Sequence, residues 1–202
     1  MKKIIKDVNL EKIRSVYIET SFDKGIKKLK EKGYELISLK ENAKLRMQEN
    51  DDFVSEEGNW VKEDLIYVPK KGFFLTKISP INENPEIATK EHGLEKEFYL
   101  TSEQVKKSLE DAIRINTQKI FSKDIWENKI TTYVFGKNAE EYGKFLIRLG
   151  INGIIIDFPQ TKGEKAFAGK IWFGGCRYGS KFNCCNNLSN KHGIVRGIKY
   201  LN

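Results

Sequence analysis

Three cysteines, Cys176, Cys184 and Cys185, and two histidines, His92 and His192, carry the most reactive side chains of this sequence. Cys184 with His192 would supply a thiol and a base, which is what nucleophilic catalysis needs, because the thiolate and not the thiol attacks. The residues around them, "CRYGSKFNCCNNLSN" from Cys176 to Asn190, are mostly glycine, serine and asparagine, with no carboxylate to orient an imidazole. A lone histidine in a polar loop is ordinarily a surface residue. The adjacent pair Cys184 and Cys185 fits neither a disulfide framework nor the C-x-x-C spacing of a zinc site, so reduced thiols, no metal and no cofactor are expected.

Phosphate chemistry fares no better. "GGCRYGS", Gly174 to Ser180, lacks the G-x-x-x-x-G-K-[ST] frame and leads into no periodic helix. No H-E-x-x-H, G-x-S-x-G or G-x-G-x-x-G pattern occurs. An enzyme is therefore not expected.

The same residues suit recognition. Tyr, Ser, Gly, Asn and Arg dominate antibody-type binding surfaces, since Tyr gives wide amphipathic contact at low rotamer cost and the small polar residues give adaptable hydrogen bonds. Composition also fits an irregular loop, because Asn and Gly tolerate positive φ. A second binding reading comes from charge. Of the net +8, seven basic residues (Lys165, Lys170, Arg177, Lys181, Lys191, Arg196 and Lys199) fall after Glu164, with no Asp or Glu among them. Interleaved with Trp172, Phe173, Tyr178, Phe182 and Tyr200, they would suit a nucleic acid through phosphate contacts and base stacking.

Something must position these residues. Hydrophobic residues make up 39% and charged ones 32% of the 202 residues, which suits a soluble globular chain with a core of its own. No apolar run approaches the roughly 20 residues of a membrane helix, and no secretory leader is visible, so a cytoplasmic protein without membrane contact is expected. Phe22, Ile26 and Leu29 predict a helix capped by Ser21 and stopped at Gly33. "YELISL" reads as a strand, Leu45 and Met47 sit in a further helix, "ENDDFVSEEGN" is a charged loop, and "DLIYV" and "GFFLTKIS" form a hairpin about "PKKG". "PINENPEIATKEHG" reads as a linker that divides an N-terminal α/β lobe, 1–80, from a second domain, 94–202. Thr101 or Ser102 caps a helix with Val105, Leu109, Ala112 and Ile113 on one face. "KITTYVFG" as a strand, a helix with Tyr142, Phe145, Leu146 and Leu149, and "INGIIIDF" as a strand give a β-α-β order. "AFAGKIWFGG" and "GIVRGIKYL" are strands holding a polar segment that is free in the middle.

Trp172, Phe173, Ser180, Phe182, Leu188 and "VRGI", Val195 to Ile198, with polar residues between, resemble the C-terminal region of variable proteins of diversity-generating retroelements, most closely the archaeal kind. The resemblance covers about the last 35 residues. It implies an α+β, C-type-lectin-like fold related to the formylglycine-generating enzyme domain, with small twisted antiparallel sheets, two or more helices, and a variable region of about 172–198. In that family a reverse transcriptase writes errors at template adenines, so AAY codons become many residues but never Lys, Trp, Met, Gln or Glu. The diversified, ligand-binding face would draw on Gly174, Cys176, Arg177, Tyr178, Asn183, Cys184, Cys185, Asn186, Asn187, Ser189, Asn190 and His192. Trp172, Ser180, Phe182, Leu188, Val195, Arg196, Gly197 and Ile198 would be scaffold, and Lys181 and Lys191 fixed. The resemblance thus implies a non-catalytic binder of a protein or other macromolecule, with nucleic acid as the alternative partner.

Overall fold

Two strands open the chain in the computed structural model, which describes residues 4–10, 13–49, 58–91, 97–159, 163–176, 179–185 and 187–201. β1 (Ile4–Leu10) and β2 (Ile13–Glu19) pair antiparallel. Helix α1 (Phe22–Glu31) buries Phe22, Ile26 and Leu29 as the spacing predicts, with Ser21 at its N-cap position and Gly33 at φ 70° just past its end. β3 (Glu35–Leu36) is only the start of "YELISL", and α2 (Leu39–Glu49) carries Leu45 and Met47. β4 (Asn59–Val68) and β5 (Gly72–Thr76) form the expected hairpin, and its turn holds Lys70 at φ 63° and Gly72 at φ 91°. Residues 50–57 of the charged loop lie outside the described residues.

The segment read as a linker is helical instead. α3 (Pro80–Glu83) and α4 (Pro85–Glu91) bury Ile81 and Ala88, and Ser79 caps α3 by accepting from the Asn82 N–H. Each proline sits at a helix start, where its missing N–H costs nothing, so these prolines begin helices. β6 (Phe98–Tyr99) precedes α5 (Ser102–Leu109), which has a full capping box between Thr101 and Gln104. That helix ends at Leu109, and Ala112 and Ile113 fall in β7 (Ala112–Arg114).

After β8 (Lys119–Phe121) comes a second correction, for "KITTYVFG" is helix α6 (Lys129–Phe135). Its β-branched residues favour a strand by propensity. Ile130, Thr131, Val134 and Phe135 are nonetheless buried on one helical stripe, the Asn128 side chain accepts from the Ile130 N–H, and Gly136 at φ 56° ends the helix. Tertiary cover overrides propensity here. α7 (Ala139–Arg148), β9 (Gly153–Asp157) and β10 (Phe167–Cys176) match expectation. The polar segment is not free in the middle: β11 (Gly179–Cys185) pairs with β10 before the chain reaches β12 (Ile194–Tyr200).

The described strands form one branched sheet in the order β1-β2-β12-β4-β10-β11-β9-β8, with β5 joined to β4, β7 to β5, β3 to β12, and β6 to β10. β12 lies between β2 and β4, so residues 1–80 and 94–202 contribute interleaved strands. Side chains alternate between two faces along each strand. Val61, Leu65, Ile171, Phe173, Phe182 and Ile198 enter one core with α2, α6 and α7. Trp60, Ile66, Ala168 and Val195 enter the other with α1, α3 and α4. Helix α1 approaches β12 very closely, since a Cβ on Gly25 would lie 2.2 Å from Val195 and one on Gly197 2.3 Å from Leu29.

A buried charge network crosses the middle of the sheet. Lys170 of β10 is fully buried, and its ammonium donates to Asp64 (2.7 Å), to Asn82 Oδ1 (2.6 Å) and to the Lys62 carbonyl (3.0 Å), with Ser79 Oγ at 3.3 Å. Burial pushes the ammonium's pKa down, and the Asp64 charge opposes that shift. Glu63, the next residue of β4, points the other way and accepts from the Leu39 N–H at the start of α2 (2.9 Å). Burial pushes its carboxyl up to about 7, against the pull of that N–H and of Lys170. A carboxyl held above its unfolded value stabilises the fold when protonated, and the gain is lost as pH rises through the folded value. Stability should therefore fall by on the order of 3 kcal/mol between about pH 4 and pH 8 on account of this group. Glu63→Gln keeps the acceptor for Leu39 and should flatten that slope in urea titrations run across the same range.

Candidate binding surface

The β10–β11 hairpin shows its two faces plainly. Phe173 pairs with Phe182 and Ile171 with Cys184, and these side chains point into the first core. On the other face Trp172 stands opposite Asn183, and Gly174 opposite Lys181. Asn183 and Lys181 are exposed, Trp172 and Gly174 half-buried. The second face is covered by α1 above Trp60, and the cover ends beside Trp172. Trp60 holds that boundary, packing edge-on against Phe22 (5.6 Å between centroids) and Trp172 (5.3 Å). Such pairs add about 0.5–1.5 kcal/mol each beyond burial.

Loop 187–193 lies along the same boundary. Leu188 is buried in the second core, and its carbonyl accepts from the Phe22 N–H at the start of α1 (2.9 Å). Gly193 accepts from the Thr20 N–H (2.8 Å), and a Cβ there would come within 2.0 Å of the Trp60 ring. Between these two pins the loop turns on itself: the Asn190 N–H donates to the Asn187 carbonyl, and Asn190 Oδ1 accepts from the His192 N–H (3.0 Å). Asn187, Asn190, Lys191 and His192 are exposed, and Ser189 is half-buried. His192 Nδ1 lies 2.7 Å from Glu19 Oε1 at the end of β2.

Ser180 anchors the hairpin from below. Its hydroxyl is fully buried, bonds to Tyr142 Oη at 2.8 Å and accepts from Arg46 Nη1, which also donates to Tyr142 (3.0 Å). Phe182, Val195 and Ile198 are buried, Gly197 lies against Leu29, and Arg196 is buried with its Nε donating to Ser15 Oγ (2.9 Å) and its guanidinium 4.9 Å from the Tyr17 ring centroid. The residues named as scaffold are thus interior, apart from half-buried Trp172. Of those named for the ligand-binding face, Gly174 and Asn183 stand on the sheet face of Trp172, and Asn187, Ser189, Asn190 and His192 lie in the loop pinned beside Trp60 on that face. Cys184 does not, since it packs half-buried against the first core. Cys176 and Cys185 hold strand positions opposite Gly179 and Lys170, while Arg177, Tyr178, Asn186 and His92 lie outside the described residues.

A solved structure from Nanoarchaeota, described as accommodating massive sequence variation by the C-type lectin fold, aligns with 98% of this chain and 100% of its own at a TM-score of 0.66 and 13% sequence identity. The chain adopts the C-type lectin fold. No protein-family model and no curated protein matches it. Within this C-type lectin fold Cys184 and His192 do not form a thiol–imidazole pair, because the thiol turns to the core while the imidazole meets Glu19. Among the described residues, no group of three or more His, Cys, Asp or Glu is placed to hold a metal ion, and no helix is long and apolar enough to cross a membrane. Sequence reasoning missed Trp60 and Glu19 and gave Phe22 only a packing role in its helix; of the two missed, Trp60, just upstream of the strand read in "DLIYV", offered a local signal.

Substitutions should separate the two sides of the hairpin. Ser180→Ala leaves Arg46 and Tyr142 short of a buried partner and should cost about 1–3 kcal/mol. Gly193→Ala drives a methyl into Trp60 and should cost a similar amount, about 1–3 kcal/mol. Asn183→Ala should stay within about 0.5 kcal/mol of the parent. Urea unfolding midpoints of the three variants check the contrast.

Proposed function

We propose that this protein is a non-catalytic binder that meets a protein or other macromolecular partner through the outer side of the β10–β11 hairpin and loop 187–193, and that a retroelement diversifies this surface. One observation carries the reading: the backbone is pinned from the face opposite to the one it presents. Ser180, Phe182, Leu188 and Gly193 hold the chain, while Asn183, Asn187, Asn190 and His192 extend outward from it. A backbone fixed by its buried side lets outward residues change without changing the fold. The likeness to a C-type lectin fold that accommodates massive sequence variation supports the same view.

Nucleic acid is the weaker partner. Lys170 and Arg196 are buried, and Phe173 and Phe182 are core residues, so these four members of the basic and aromatic set are withdrawn from any phosphate or base. Lys165, Lys181, Lys191 and Lys199 remain exposed.

Two experiments test the proposal. Sequencing the gene across a natural population should find variation concentrated at AAY-type codons for outward residues from Gly174 to His192, with Trp172, Ser180, Leu188 and Arg196 constant; uniform or scattered change would refute diversification. A library randomised at Asn183, Asn187, Asn190 and His192 should yield mostly folded proteins with melting temperatures within about 2–4 °C of the parent, a shift that corresponds to about 1 kcal/mol or less for a chain of this size.

A further inference from the structure

A cleft of about 250 Å³ opens between α1, β3 and α3. It lies apart from the hairpin: Leu29 is seven residues beyond Phe22, about 10 Å along the helix. Its floor is apolar, made by Ile26, Leu29 and Leu36, all of them buried. Its rim is basic, with Lys30, Lys62 and Lys77 against the single carboxylate of Glu35. Lys62 is paired with Glu35 at 2.7 Å. The Lys77 ammonium instead rests over the Tyr133 ring, 4.0 Å from its centroid, which holds the charge in place without neutralising it. Lys30 stands exposed in the last turn of α1.

Each part of the wall restricts what can enter. Asn82 already bonds on both sides, its Nδ2 to the Lys62 carbonyl (2.7 Å) and its Oδ1 to Lys170 (2.6 Å), so an anionic group of a ligand is met chiefly by the lysines and the Tyr34 hydroxyl. The excess of positive charge repels cations. No arginine lines the cleft to grip a phosphate with two parallel bonds. At about 250 Å³ the space falls below the roughly 300–1,000 Å³ of drug-sized sites and suits a small ligand.

We propose that this cleft binds a small organic carboxylate with a short apolar chain of about five carbons. The apolar body lies on Ile26, Leu29 and Leu36, and the carboxylate faces Lys30 and Lys77. Titration of the full chain, labelled with ¹⁵N, with sodium hexanoate should give saturable shifts in α1 and β3 with a Kd of about a few millimolar. Sodium acetate, which lacks the chain, and hexylamine, which carries the opposite charge, should each bind at least about tenfold more weakly. The exposed double variant Lys30→Glu with Lys77→Glu should weaken hexanoate by at least about tenfold while still unfolding in one cooperative urea transition, with a midpoint lowered only by the lost Tyr133 contact and helix-end charge. Shifts that fail to saturate, hexylamine binding as well as hexanoate, or hexanoate affinity unchanged in the folded double variant would each overturn the proposal.

Discussion

The Lys170 ammonium must be satisfied inside the sheet, and the surrounding structure is arranged around that demand. A buried cation left without a partner is severely unfavourable, and removing one member of a buried pair typically costs about 3–5 kcal/mol. Here the partners come from three places: Asp64 opposite it in β4, the Lys62 carbonyl, and Ser79 with Asn82 at α3. The same Asp64 carboxylate also accepts from Ser79 Oγ (2.5 Å) and from the Ile81 N–H. The pair thus ties a helix start to the two central strands. It fixes the register in which Lys170 faces Asp64, beyond which the ladder shifts before Trp172 meets Trp60. The boundary between the covered and uncovered parts of the second face follows from that register.

Past the boundary, cohesion and presentation are divided between opposite sides of one hairpin. The inward side of β11 carries an aromatic, a hydroxyl and a thiol that meet the first core, and the hydroxyl completes a buried network with Arg46 and Tyr142. The outward side carries Lys181 and Asn183, both exposed. Loop 187–193 repeats the arrangement with a leucine and a glycine as its fixed points.

Legibility in the sequence followed the range of the interaction. The capping box of Thr101 and Gln104 and the apolar stripe of α7 are complete within a few residues, and both were readable. β11 was hidden because its inward residues include Ser180 and Cys184, so alternation does not show as apolar against polar. Lys170 and Arg196 looked like surface charge because their partners, Asp64 and Ser15, lie far away in the chain. The fold class itself was carried by Trp172, Phe182, Leu188 and "VRGI", most of them buried where α1, β12 and the hairpin meet.

β12 is encoded after the exposed segment, yet it lies between β2 and β4, and it carries Val195, Arg196 and Gly197 into close packing against α1 and β2. Its pairing with β2 spans nearly the whole chain, the kind of distant closure that comes late and slowly in folding. A stop codon or frameshift anywhere in the hairpin or its loop therefore deletes the middle of the sheet, whereas a substitution on the outward side leaves it whole. Chains cut short there lack the strand that joins β2 to β4 and are left open to proteolysis.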